Sequence, residues 1–291
     1  MVDLELSWQA AAVTAACLAG ASAACRRARP PRLRAAAGFM LEAAVLLGLF
    51  ALWQLAGSYA VMGPAGAIGR AQWIWHAERV VHLPPESEVQ HALLGHPLIV
   101  QALNLYYAGL HFAVVIGCLT WVFARHRRQY PQVRTTLVLF TAGALLIQLV
   151  PVAPPRMLPG DGMIDTAVRY GQSVYGSVAG FNADQLSAMP SVHVGWALLV
   201  ALVVVQVSGS RWRWLALSYP ALTLLAVVVT ANHFWADGIV AALLLALALV
   251  VQRAGRVARH WLAVRWQARM ERRRASCRGG RPSPRVPAAR P

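Results

Sequence analysis

The sequence predicts an all-α fold, a polytopic transmembrane helical bundle of about seven spans, on three observations. Hydrophobic residues make up 58% of the 291-residue chain and charged residues only 13%, about half the ~25% usual in a soluble domain. Apolar runs long enough for a bilayer recur from the first residues to about position 251. In lipid the backbone must satisfy itself, and runs of this length do so as helices. The 27 basic residues are all arginines, and they cluster between and after the runs, the positions that encode topology.

The runs fall at about 7–25, 36–60, 98–124, 134–153, 190–207, 212–231 and 234–251. Asp3 and Glu5 precede the first, with arginines only after it. A secretory leader needs the opposite order, so 7–25 reads as a retained span. Between the second and third runs, a stretch with Trp73, Trp75, Glu78, Arg79 and Pro84-Pro85 suits a helix lying at the membrane interface. A loop rich in Gly, Pro and Asp, 154–189, separates the fourth and fifth. Beyond 251 the chain becomes an Arg-rich tail, helical near the bilayer and disordered after it.

A formal charge of +16 would suit a nucleic-acid binder, but its placement points to membrane topology, and no nucleic-acid partner is expected. The short loops after the first, third and fifth runs and the tail hold 23 of the 27 arginines; Arg70, Arg79, Arg156 and Arg169 lie on the other side. This bias predicts a multi-pass cell-membrane protein with its N-terminus outside and its tail cytoplasmic, where it would attract anionic lipids. The ends of runs four and six and the starts of runs five and seven then share the extracytoplasmic face. Cys17, Cys25, Cys118 and Cys277 have neither paired nor metal-like spacing. His76, His82, His91, His96, His126 and His260 have no ligand spacing either, and no metal or cofactor is expected.

Three segments on that shared face carry chemical groups. His233 and Asp237 are four apart, so at a helix start they share one face, and a carboxylate beside an imidazole fixes its tautomer and stabilises its charged form. In Ser187-Ala188-Met189-Pro190-Ser191-Val192-His193, Ser187 or a neighbour can cap, Pro190 suits the first turn, and the free amides of a helix start hold an anion. There Ser191 adds a hydroxyl and His193 a proton donor. Arg156, after Pro154-Pro155, is a stiffened guanidinium able to bind phosphate. Alone, each segment also fits an ordinary helix start or an interfacial side chain; their coincidence on one face favours a site. In run three, Asn104, Tyr107 and His111 stand at i, i+3 and i+7, one helical face that either lines a headgroup or acceptor pocket or holds the bundle together. Glu42, in run two, reads as a pairing residue.

The stretches Ala188-Met189-Pro190-Ser191-Val192-His193 and Asn232-His233-Phe234-Trp235-Ala236-Asp237, preceded by Pro154-Pro155-Arg156, resemble the type 2 phosphatidic acid phosphatase superfamily. Within it they look most like the branch related to inositol phosphorylceramide synthase. Glu78-Arg79 with Leu83-Pro84-Pro85-Glu86, and Asn104 to Phe112, extend the resemblance over roughly residues 73–250. It implies a six-helix phosphatase-like core plus one N-terminal span, divided as 1–35 (first span and Arg-rich loop), 36–251 (catalytic domain) and 252–291 (basic tail). It also implies a metal-independent, two-step transfer. His233 would attack phosphorus, Asp237 would hold and charge it, and His193 would protonate the leaving group and then activate the acceptor. Ser191, helix-start amides and Arg156 would bind the phosphoryl oxygens.

The phosphatase branch commonly places an Arg six residues before its nucleophilic His; here that position is Val227. Arg169 is the candidate substitute, and the synthase-like branch also tends to lack that Arg. The expected partners are therefore a lipid phosphate and an alcohol or water acceptor. The leading reading is an integral membrane phosphotransferase or phosphohydrolase that acts on a lipid phosphate through a phosphohistidine, with transfer of an inositol-phosphate-like headgroup to a lipid acceptor as one form of it. The alternatives are a phosphatidate or polyprenyl phosphate (or diphosphate) phosphatase and, against the complete His–His–Asp set, a non-catalytic lipid binder or transporter.

Overall fold

The computed structural model describes residues 7–28, 30–58, 66–172 and 185–278, and within them the fold is all-α. Ser7 caps α1 (Trp8–Arg27), its hydroxyl accepting the Ala10 amide at 3.3 Å, while Arg26 and Arg27 lie at the negative end of the helix dipole. α2 (Pro31–Ser58) packs along α1, and the Ser22 hydroxyl crosses between them to the Ala37 carbonyl at 2.7 Å. A polar side chain in an apolar pair needs such a partner.

The segment expected at the interface forms two short helices, α3 (Ala67–Val80) and α4 (Glu86–Leu94). α3 buries Ala67, Ala71, Ile74 and Glu78, one stripe at helical spacing. Its end is a Schellman turn: Leu83 N donates to Glu78 O at 3.0 Å and His82 N to Arg79 O at 3.1 Å. His82 takes the left-handed conformation there, with φ 61°.

Next come α5 (Pro97–Leu105) and α6 (His111–Arg125), joined through a π-helical turn at Tyr106–Leu110. α7 (Tyr130–Gln148) leads to a 3-10 turn at Pro155–Met157 and the one-turn α8 (Thr166–Arg169). α9 (Val192–Val207), a 3-10 stretch at Arg211–Leu217, α10 (Ser218–Val229) and the long α11 (Trp235–Arg278) complete the order. Glu42 on α2 is a pairing residue, accepting from Arg134 Nη1 at 2.6 Å and Tyr130 Oη at 2.8 Å on α7.

Among the described residues, five stretches are long and apolar enough to cross a membrane: Trp8–Arg27, Arg32–Leu52, Pro97–Arg125, Arg211–Val229 and Trp235–Gln267. The chain is an integral membrane protein. The expected count of seven is not reached by this measure, because runs four and five fall short. α9 has 16 residues, about 24 Å at ~1.5 Å per residue against a hydrocarbon core of ~30 Å. α7 carries Gln132, Arg134, Thr135 and Thr136 in its first two turns. The interval 173–184 of the 154–189 loop and the tail beyond Arg278 lie outside the described residues.

By contacts the chain divides into two compact units, Met1–Ala248 and Leu249–Pro291. The second is helical as far as Arg278, and within it the Arg265 guanidinium stacks over Trp261 at 3.4 Å. The first holds the candidate site residues named from the sequence. Backbone clips bring its loops together: Val152 N donates to Leu186 O at 2.7 Å, Ala188 N to Val152 O at 3.2 Å, and Arg156 N to Ala231 O at 3.1 Å. Beneath them a small core joins Ala67, Ala71 and Ile74 of α3 to Val152, Ala153, Leu158, Ala188 and Phe234. α7 and α9 approach closely at Gly195, where an added Cβ would run into the Phe140 ring.

Candidate active site

Two helix starts meet at the site. His233 does not lie in a helix, as its spacing to Asp237 predicts, but two residues before α11, in the turn that ends α10. That turn runs through Ala231, left-handed with φ 56°, a conformation costing an L-residue about 1–2 kcal/mol. The His233 and Asn232 amides both reach back to the Val227 carbonyl, at 3.2 and 3.0 Å. Asp237 sits in the first turn of α11, and its Oδ2 accepts the Phe234 amide at 2.9 Å, the reach-back half of a capping box.

The same oxygen accepts from His233 Nδ1 at 3.2 Å, and Nδ1 also points at the Ala188 carbonyl at 2.6 Å. Both partners only accept, so Nδ1 carries the proton. His233 Nε2 has no hydrogen bond among the described residues. Asp237 is fully buried and His233 5% exposed.

α9 supplies the opposing wall. Its N-cap is Ser191, not Ser187: the Ser191 hydroxyl accepts the Val194 amide at 3.4 Å, and Pro190, after a cis Met189–Pro190 bond, precedes the helix rather than forming its first turn. Ser191 N donates to the Asp237 carbonyl at 3.2 Å, which ties the two helix starts together. The Val192 and His193 amides make no hydrogen bond among the described residues, and a helix start with free amides accommodates an anion. The His193 ring centroid lies 6.2 Å from that of His233, and His193 Nε2 is buried with no hydrogen-bond partner among the described residues.

The π-helical turn breaks the expected stripe on run three. It brings both Tyr107 and His111 onto His193: the Tyr107 ring stacks on it at 4.3 Å and 22°, and the His111 ring lies 4.9 Å away. The Tyr107 backbone is also a hydrogen-bond partner of His193. His111 is itself held by the Tyr219 hydroxyl, 2.8 Å from Nδ1. Asn104 does not join them. It accepts from Thr166 Oγ1 at 2.8 Å and donates to Gln172 Oε1 at 3.0 Å, pinning the loop around α8.

Arg156 reaches the site. Its side chain is 3% exposed, its Nη1 donates to Asn232 Oδ1, next in sequence to His233, at 2.5 Å, and its Nε lies 3.3 Å from Asp165 Oδ2. Arg169, the candidate substitute cation, is exposed and stacks over Tyr170 at 5.8 Å, with no contact to the His–His–Asp set. Val227 is buried in α10, and no charged side chain replaces it there.

Sequence reasoning missed four participants. Ala188 and Asn232 stand in the motifs without a role assigned there, because one acts through its backbone carbonyl and the other through a tertiary contact. Asp165 orients Arg156. Glu78 Oε1 accepts the Ala236 amide in the first turn of α11 at 2.7 Å; only its place in the Glu78-Arg79 motif hinted at a role. Among the described residues no cluster of three or more His, Cys, Asp or Glu side chains could hold a metal ion.

Compared with known families, residues 72–251 match the PAP2 superfamily. The chain belongs to the PAP2 superfamily. The match covers well over half the chain and takes in every site residue named above. It reaches the superfamily and does not single out the synthase-like branch. PAP2 superfamily members are typically phosphatases, which implies a phosphate-ester substrate. Comparison with curated proteins and with solved structures finds no match.

Proposed function

We propose that this PAP2 superfamily protein moves the phosphoryl group of a lipid phosphate through a phosphohistidine on His233. The observation that carries this reading is the tethering of His233 Nδ1 to two acceptors, Ala188 O and Asp237 Oδ2, which leaves the Nε2 lone pair as the nucleophile. In the first step Nε2 bonds to phosphorus, the phosphorus–oxygen bond to the lipid breaks, and His193 gives its proton to the departing oxygen. In the second an acceptor hydroxyl loses its proton to His193 and attacks phosphorus, and the phosphorus–nitrogen bond breaks. Arg156, the free amides at the start of α9 and the Ser191 hydroxyl hold the non-bridging oxygens, where transition-state charge accumulates. His111 and Tyr107 orient His193. Asp237 stabilises the cationic ring that forms when His233 carries phosphorus.

The acceptor divides this reading in two. With an alcohol the protein is a headgroup transferase of the inositolphosphotransferase kind; with water it is a phosphatidate or polyprenyl phosphate phosphatase. The buried, uncharged position of Val227 favours the first, and the habit of the superfamily the second. We further propose that α7 and α9 also cross the bilayer, giving seven spans, with the site on the extracytoplasmic side and the tail cytoplasmic. The placement of 23 of 27 arginines supports this orientation. The test supplies purified protein with a lipid labelled in its phosphate, with and without candidate alcohols. Label released as free phosphate identifies a hydrolase, label in a new lipid a transferase, and unchanged substrate refutes both.

A further inference from the structure

Three carboxyl groups crowd the start of α11, and only one of them has a role in the chemistry above. The Schellman turn after α3 folds the chain back so that Glu86, at the start of α4, meets Glu78 side chain to side chain, with Arg79 Nη2 at 3.2 Å from the first and 3.6 Å from the second. Both are 2% exposed. Each has one oxygen accounted for: Glu78 Oε1 accepts the Ala236 amide at 2.7 Å, and Glu86 Oε2 accepts from Arg79 Nη2 at 3.2 Å. The other two, Glu78 Oε2 and Glu86 Oε1, are buried with no donor among the described residues. The guanidinium that faces them is that of Arg79: its Nη2 lies 3.6 Å from Glu78 Oε2 and donates to Glu86 Oε2 and to the Pro84 carbonyl at 3.1 Å, while its Nε and Nη1 are buried and meet no acceptor among the described residues. Trp235 Nε1 reaches the same Pro84 carbonyl at 2.9 Å. The α3–α4 corner thus grips the first turn of α11 at Trp235 and Ala236, two and three residues after His233.

We propose that Glu78 and Glu86 share one proton as an acid pair, and that this pair is a clamp positioning the Phe234–Asp237 turn and, through it, His233. The role rests on the catalytic reading of His233 given above. A proton between Glu78 Oε2 and Glu86 Oε1 gives both orphaned oxygens a hydrogen bond, and two adjacent buried carboxylates would otherwise repel. Without it, Glu78 and Glu86 would place two negative charges on one Arg79, with the charge of Asp237 acting on Glu78 and that of Glu86 on Asp161.

The titration behaviour agrees. Burial, followed by the hydrogen bond and the charge of Glu86, pushes the Glu78 carboxyl up to about 9; the Ala236 amide opposes this and the Asp237 charge adds to it. Asp161, whose Oδ1 accepts the Met163 amide, is raised by burial and by the charge of Glu86. The groups facing the pair are therefore Arg79, Asp161, Asp237 and, through Asp237, His233. Because the folded value exceeds the ordinary one of 4.5, the folded chain keeps a proton that the unfolded chain loses. Folding weakens as pH rises from about 4.5 to about 9 and no further above that. The folded enzyme keeps its clamp until the pair itself deprotonates near the upper limit.

The test measures kcat and KM against pH for the full-length protein in detergent micelles, with short-chain phosphatidate labelled in its phosphate. Wild type is expected to lose kcat above about pH 9 at nearly constant KM. In Glu78→Gln the amide oxygen accepts from Ala236 and the amide nitrogen donates to Glu86. Turnover at neutral pH should survive and the alkaline loss disappear. Glu78→Leu removes the clamp and should cost kcat about tenfold or more at every pH, the scale of one lost positioning hydrogen bond. Infrared difference spectra of wild type minus Glu78→Gln at neutral pH should show the stretch of a protonated carboxyl. An unchanged alkaline limb in Glu78→Gln, or no protonated carboxyl, overturns the pair even if Glu78→Leu fails to accumulate. Activity surviving in His233→Ala overturns instead the site reading on which the clamp depends.

Discussion

Replacing Asp237 by Asn separates two functions that one carboxylate usually combines. In a triad whose carboxylate alone sets the tautomer, the amide flips the imidazole and costs about 10⁴ in kcat. Here His233 Nδ1 has a second and closer acceptor, the Ala188 carbonyl at 2.6 Å against 3.2 Å for Asp237 Oδ2. A backbone carbonyl can only accept, so it keeps the proton on Nδ1 when Asp237 becomes an amide. The Asn side-chain oxygen can also keep the bond to the Phe234 amide, made by Asp237 at 2.9 Å. What is lost is the charge on the hydrogen bond to a ring that becomes cationic in the transition state, about 1.5–3 kcal/mol. That corresponds to a fall of roughly 10- to 100-fold in kcat. The assay is phosphate release or transfer from a labelled lipid phosphate at saturation. A loss as large as that of His233→Ala would mean that Ala188 does not pin the tautomer; unchanged kcat would mean that Asp237 does not act on the reacting ring.

Two other predictions follow from the same geometry. Arg156→Lys keeps a positive charge but gives up the guanidinium fork that meets Asn232 and Asp165 at once. Its kcat/KM should fall about 10- to 100-fold, with no rescue by added salt, and wild-type kinetics would remove Arg156 from the phosphate site. Gly195→Ala drives a Cβ into the Phe140 ring and should destabilise the protein by about 1–3 kcal/mol, read as a lower Tm in detergent. Phe140→Leu in the same chain should recover part of that loss, and a purely additive double variant would refute the contact.

Much of this architecture was legible from residue order because the bilayer leaves few choices. The limits of α1, and of the pair α5 and α6, follow their apolar runs closely, and Glu42 found the pairing partner that its depth demanded. The reading failed where tertiary contacts override helical spacing. Asn104, Tyr107 and His111 fit one α-helical face, but the π-turn at Tyr106–Leu110 resets the register and sends Asn104 to Thr166 while Tyr107 and His111 go to His193. His233 and Asp237 meet as their spacing predicts, yet through a capped turn rather than a helical face. Arg169 drew attention as a spare cation, and only the fold places it on the outside. The Ala188 carbonyl carries no spacing signal, and the Glu78–Glu86 corner showed only as part of a family resemblance, since each acts on a residue more than forty positions away.

The central claim is that phosphorus passes through His233. The most direct measurement is a brief incubation of the protein with lipid labelled in its phosphate, quenched and assayed for label on protein that is stable in base and lost in acid, as a phosphohistidine is. The account predicts such label at His233 in the wild type, none in His233→Ala, and slowed formation in His193→Ala, which lacks the acid for the leaving oxygen. Turnover without labelled protein, or label that persists in His233→Ala, would contradict it.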